Sequence, residues 1–138
     1  MGLDVQGADA SWEATSVILL DTNALIWIDS GHARVRALLR RRDRLYVSPA
    51  TLLEMQFLQE AGKIRLKSGS LRWITEDDRW LVDEPPAAAW FLRAADVPWT
   101  RDPFDRLLVA HALVRRWRLA TSDGRILEHL GAAQSVAL

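Results

Sequence analysis

The run Val17-Ile18-Leu19-Leu20, stopped by Asp21-Thr22-Asn23, constrains this chain more than any other stretch. Four apolar residues in succession are too few for a helix and leave no polar face. They fit a short strand covered on both sides, as in a parallel sheet. In open α/β sheets the crevice beyond the carboxyl ends of the strands is where ligands bind. A carboxylate standing there is costly unless something positive answers it.

The rest of the chain repeats the pattern of short strand and helix. A first helical turn or two is expected over 24–29, ended near Gly31, and a helix over 33–42 with Val35, Leu38 and Leu39 on one side. A second strand covers 45–47. Ser48-Pro49 then reads as an N-cap followed by proline at the first helical position. The helix it opens runs to about Gly62, with Leu52, Leu53, Met55, Phe57 and Leu58 mostly inward. A connection at 63–70, a helix at 71–79, a strand at 80–82 and an alanine-rich helix at 86–95 follow. A helix is expected over 104–117, and its middle, 107–114, is apolar almost all round, which predicts packing on more than one side. Strand 119–121, a short helix after Gly124 and an edge strand at 135–138 complete the chain. Alternation of this kind predicts a parallel sheet with helices on both faces. Residues 1–16 carry no periodicity and read as a flexible extension, leaving 17–138 as one domain.

Composition removes several function classes. There is no cysteine, which excludes disulfides, thiolate metal sites and a cysteine nucleophile. Eighteen basic residues balance eighteen acidic ones, so overall charge points to neither nucleic acid nor membrane. No apolar run approaches the roughly 18 residues of a membrane span, and the polar start lacks the features of a signal peptide. A soluble, cytoplasmic protein without membrane contact is expected.

Four acids fall at comparable positions. Asp21 and Asp123 each follow a strand, while Glu54 and Asp105 lie early in helices whose preceding segments point toward the same sheet edge. In a parallel sheet all four can converge. Clustered carboxylates raise one another's pKa, and divalent cations relieve that repulsion. All-oxygen clusters suit Mg²⁺ or Mn²⁺, ions that activate water and stabilise a phosphoryl displacement. The chemistry implied is metal-assisted phosphodiester hydrolysis. A plainer reading stands beside it. Asp102 with Pro103 is well placed as a helix cap, Asp105 favours the helix dipole, and Asp21 and Asp123 are candidate caps. On that reading the chain is a non-catalytic α/β interaction module, and Glu54 is a partly exposed residue paired with an arginine.

Other features carry less. The arginines of 33–44 (Arg34, Arg36, Arg40, Arg41, Arg42 and Arg44) form either a solvated face or a phosphate-contacting one. His32, His111 and His129 show no metal spacing, and His111 fits a hydrogen-bonded core position. No serine stands in Gly-x-Ser-x-Gly, and there is no phosphate-binding glycine loop. A haloacid-dehalogenase-like phosphatase would want a second aspartate where Asn23 stands. The tryptophans are mostly core or interface, with Trp99 a candidate for stacking on a base.

Asp-Thr-Asn after an apolar strand, Ser-Pro-Ala-Thr-Leu-Leu-Glu, Arg-Asp-Pro-Phe-Asp-Arg-Leu-Leu and Leu-Ala-Thr-Ser-Asp occur in this order. The set resembles the PIN-domain ribonucleases, in particular the VapC-type toxins of bacterial toxin–antitoxin pairs, over residues 17 to roughly 130. The resemblance implies a three-layer α/β/α sandwich around a parallel sheet of four to five strands. It also implies Mg²⁺- or Mn²⁺-dependent cleavage of RNA, a homodimer and inhibition by a cognate antitoxin. By position, Asp21 and Asp105 would be the principal metal ligands, Glu54 the middle acid and Asp123 the fourth. Asn23 would steady the first aspartate, Thr121 would supply the hydroxyl near the fourth acid, and Asp102 matches an additional acid. Arg101, Arg106 and the 40–44 arginines are candidates for holding the RNA backbone. Where relatives often carry histidine before the Arg-Asp-Pro run, this chain has Thr100.

Overall fold

A computed structural model describes residues 16–66 and 70–138. The extension expected at 1–16 lies outside the described residues apart from Ser16, as does part of the 63–70 connection. Strand β1, Val17–Leu20, is the centre of a five-stranded sheet. It pairs in parallel with β2, Arg44–Val47, on one side and β4, Arg118–Thr121, on the other. Strands β3, Leu81–Val82, and β5, Ser135–Ala137, are the edges, both also parallel to their neighbours. The spatial order is β3-β2-β1-β4-β5.

The chain therefore builds outward from β1 to β3, then returns to the other side of β1 for β4. Two strands that lead their helices away in opposite senses leave a crevice between them at their carboxyl ends. Asp21 follows one of these strands and Asp123 the other.

Alternation across β1 sends Ile18 and Leu20 to one face and Leu19 to the opposite one, all three fully buried. The first face is covered by helix α1, Thr22–Ser30, through Ala24, Leu25 and Ile28, with Met55 from helix α3, Pro49–Glu60. Val35 of the 3₁₀ turn Ala33–Val35 and Leu38 of helix α2, Arg36–Arg40, close its flank. Helix α4, Arg72–Glu76, adds Ile74. On the second face, Val109 and Ala112 of helix α6, Pro103–Arg115, pack with Leu19 and Leu119. Ile126 of helix α7, Gly124–Leu130, joins them. The reverse side of α6 meets Trp90 and Ala94 of helix α5, Ala87–Ala95, through Ala110. Lying between sheet and helix explains why the middle of α6 is apolar almost all round. The three-layer sandwich is as expected.

Several local expectations need correction. The segment 33–42 is not one helix, because His32 Nδ1 accepts the Arg34 N–H and starts a 3₁₀ turn before α2. Leu39 is half exposed, since only Val35 and Leu38 share the inner face. On α3 the buried face is Ala50, Thr51 and Met55, so Leu53 and Phe57 lie on the outer side and are more than half exposed. The helix expected at 71–79 stops at Glu76, and Trp80 turns inward to donate its indole N–H to the Ile74 carbonyl at 2.8 Å. His111 is buried as expected, with Nε2 facing Asp83 at 2.8 Å. Trp99 is stacked on His129 at 4.1 Å between ring centres, so one face expected to be available for a base is already covered.

Candidate active site

Four acids from four elements line one small open cleft of about 50 Å³ at the carboxyl edge of the sheet. Asp21, Glu54, Asp105 and Asp123 share it with Thr22, Asn23, Leu108 and Ile126. The local reasons are legible. Asp21 is the N-cap of α1, taking the Ala24 N–H at 2.7 Å. Asp123 caps α7, accepting from the N–H groups of Arg125 and Ile126 at 2.9 and 3.0 Å. Both caps are fixed where a strand hands over to a helix, which brings the two carboxylates to the same sheet edge. Glu54 stands a turn and a half into α3. Asp105 is the third residue of α6, whose own cap is Asp102, bonded to the N–H groups of Phe104 and Asp105 at 2.8 and 3.2 Å.

The cap reading and the convergent reading are thus both true of Asp21 and Asp123. Glu54 and Asp105 decide between them: neither caps a helix with its side chain, yet both face the cleft. No salt bridge answers any of the four acids among the described residues. The arginine partner expected for Glu54 is replaced by the Thr22 hydroxyl, which donates to its Oε1.

Electrostatics reflect this shortage of positive charge. Burial pushes the Asp21 carboxyl up to about 6, opposed by hydrogen bonds from Thr121 and the Ala24 N–H and reinforced by the charge of Asp123. Burial, with the charges of Asp102, Asp123, Glu54 and Asp21, pushes Asp105 up to about 7. Glu54 is raised in the same way, first by burial, with the Thr22 bond opposing and Asp102 and Asp21 adding. As the side chains lie, no three acids close on one point as ligands do, among the described residues. Asp123 is turned to its own helix and Glu54 to Thr22.

The supporting residues divide. Thr121 is fully buried, donates to Asp21 and accepts the Asp123 N–H at 3.0 Å, tying the first and fourth acids together. Asn23 is exposed at the cleft, and the steadying of Asp21 expected of it is supplied by Ala24 and Thr121 instead. Arg106 bonds the Thr100 carbonyl at 2.8 Å and braces the loop before α6, whereas Arg101 is exposed. The 40–44 arginines lie at the far end of the sheet. Arg44 is registered with Val17, the first residue of β1, while Asp21 follows its last. That distance removes them from the acids. Sequence reasoning missed Thr22 and Thr51, whose buried hydroxyls lie 3.1 Å apart behind Glu54. Both occur inside the motifs, but nothing in their spacing signalled that they would meet. Exposed Arg125, directly after the α7 start, was also missed.

Comparison with known proteins identifies the family and the fold. A family model described as PIN domain matches residues 18–132. Ribonuclease VapC22 of Mycobacterium tuberculosis is 28% identical over 120 residues, covering 83% of this chain and 92% of that protein. A toxin–antitoxin complex from Klebsiella pneumoniae contains a chain similar at a TM-score of 0.63 and 19% identity, covering 87% of this chain and 96% of that one. VapBC-1 from nontypeable Haemophilus influenzae gives 0.62 and 20%, covering 88% and 97%. Identities this low establish the shared fold. With the family model spanning most of the chain and the acids gathered where the fold binds ligands, this chain belongs to the PIN domain family.

Proposed function

We infer that this chain is an endoribonuclease, the toxin of a toxin–antitoxin pair. Family membership and the likeness to Ribonuclease VapC22 and to chains of toxin–antitoxin complexes support this reading. The observation that carries the site is the convergence of Asp21, Glu54, Asp105 and Asp123 in one cleft, with no salt bridge to any of them among the described residues.

The donor set fits a hard divalent cation, Mg²⁺ or Mn²⁺. Every candidate ligand is a carboxylate oxygen, the cleft offers no histidine or thiolate, and burial already penalises the uncompensated charges. Asp21 and Asp105 would be the principal holders, with Glu54 and Asp123 assisting. When bound, such an ion supplies a water of lowered pKa and neutralises charge on the phosphoryl group. The protein's own part is placement. Thr121 and Ala24 lock the Asp21 carboxylate, and Asp102 caps α6 so that Asp105 enters the cleft from a fixed backbone. Arg101, and Arg125 two residues after Asp123, are exposed and would be free to contact a phosphate backbone, and Arg106 keeps the Thr100 loop in place. Hydrolysis would proceed by in-line attack of a water on phosphorus, the water giving up a proton to solvent and the 3′ oxygen leaving with a proton taken from solvent, as the alcohol.

The partners are RNA as substrate, a cognate antitoxin, and a second copy of the chain. The exposed apolar Phe91 and Leu92 of α5 support a homodimer. No helix among the described residues is long and apolar enough to cross a membrane. An enzyme of cellular RNA would act in the cytoplasm.

Purified protein incubated with RNA and Mg²⁺ should cleave it, and EDTA should stop the reaction. Asp21→Asn and Asp105→Asn should be inactive while folded. Cleavage that survives either substitution at the wild-type rate refutes the assignment.

A further inference from the structure

Glu54 stands apart from the other acids in how it is held. Its side chain has three rotatable bonds, and ordering such a chain on a half-exposed helix face is entropically costly. The bond from Thr22 engages one carboxylate oxygen, Oε1, and leaves the other for the cleft. Thr22 in turn lies 3.1 Å from the Thr51 hydroxyl. Both threonines are buried, Thr51 completely. An ionised carboxylate only accepts hydrogen bonds, so Thr22 must donate to Glu54. Its oxygen is then left to accept, and Thr51 donates to it. The proton order of the chain is therefore fixed as Thr51 to Thr22 to Glu54.

Geometry makes this more than a pair of satisfied hydroxyls. Thr51 and Glu54 are three residues apart on α3, one above the other, and Thr22 begins α1 directly after Asp21. The chain thus ties the helix that carries the middle acid to the segment that carries the first. We propose that Thr51, acting through Thr22, is a positioning residue that holds the Glu54 carboxylate in the acid cleft and sets the cleft's affinity for a divalent cation. The inference rests on the metal reading above and adds to it two residues that carry no charge.

The test is calorimetric titration of Mn²⁺ into the full chain, with unfolding in EDTA measured alongside. Thr51→Val removes the donor at almost constant volume and should weaken Mn²⁺ binding about three- to tenfold, the usual reach of one hydrogen bond. Thr22→Val, which removes the direct donor, should weaken it at least as much, and Thr51→Ser should restore near wild-type affinity. In a Glu54→Ala background, Thr51→Val should have no further effect on affinity. Should Thr51→Val fail to fold, Thr51→Ala is compared with Thr51→Ser by the same criteria. Wild-type Mn²⁺ affinity in Thr51→Val, even with lowered stability, overturns the proposal and leaves a purely structural pair. So does a loss of affinity that persists undiminished without Glu54. Absence of saturable Mn²⁺ binding to the wild type is a different result: it overturns the metal reading, and this inference with it.

Discussion

Replacing Asp21 by asparagine should make the metal-free protein more stable while abolishing its activity. The side chain is buried, and burial displaces its carboxyl from 3.8 to about 6. At about 1.36 kcal/mol per pH unit, the charged form carries a penalty of about 3 kcal/mol in the folded protein at neutral pH. Asparagine is nearly isosteric, still accepts the Ala24 N–H, and is as good a helix cap as aspartate. It loses the attraction between a carboxylate and the helix N-terminus, about 0.3–1 kcal/mol. A net gain of about 2 kcal/mol remains. The pH dependence fixes the sign. Between 3.8 and about 6 the folded wild type binds more protons than the unfolded chain, so its stability falls as pH rises through that window. The advantage of Asp21→Asn should be absent below pH 4, grow through pH 6 and be complete by pH 8. Urea unfolding in EDTA at pH 4, 6 and 8 measures it. Added Mn²⁺ should reverse the order, stabilising the wild type and not the variant. A variant no more stable than wild type at pH 8 in EDTA would refute the claim that the cleft holds an uncompensated, costly charge.

Four further substitutions test the fold. Arg116 ends α6 in the left-handed region at φ 60°, so Arg116→Gly should raise stability by about 1 kcal/mol in thermal or urea unfolding. Asp83 binds both His111 and Arg115 at 2.8 Å; Asp83→Ala orphans the fully buried imidazole and should cost about 2–3 kcal/mol in urea unfolding. Burial raises the Asp83 carboxyl, but the bonds from Arg115 and His111 outweigh it and hold it low, so this contribution should be lost as acid titration passes below the ordinary carboxylate range. Leu19→Ala, at a fully buried centre of the sheet, should cost about 2–5 kcal/mol, whereas Leu53→Ser on the outer side of α3 should change urea stability by less than about 0.5 kcal/mol.

Much of this protein is written locally. Ser48 with Pro49 and Asp102 with Pro103 start their helices where the sequence says, because a cap acts on N–H groups two or three residues away. The apolar run of β1 and the all-apolar middle of α6 announce elements covered on both sides, since burial must match pattern. The acids at strand ends could be named for the same reason, because any parallel sheet sends those ends to one edge. Which of them face each other is another matter. It depends on β4 returning beside β1, a pairing between residues about a hundred positions apart that no local signal encodes. The same holds for details that adjacency in space alone creates. Thr51 meets Thr22 only because α3 packs by α1, and Arg106 is drawn to the Thr100 carbonyl and Trp99 to His129. Leu53 and Phe57 look like core residues until the packing of α3 turns them outward. The sequence determined the elements and the chemistry each one carries at its end. Tertiary structure decided which of those ends share a cleft, because strand order is set by contacts summed over the whole core rather than by any residue's neighbours.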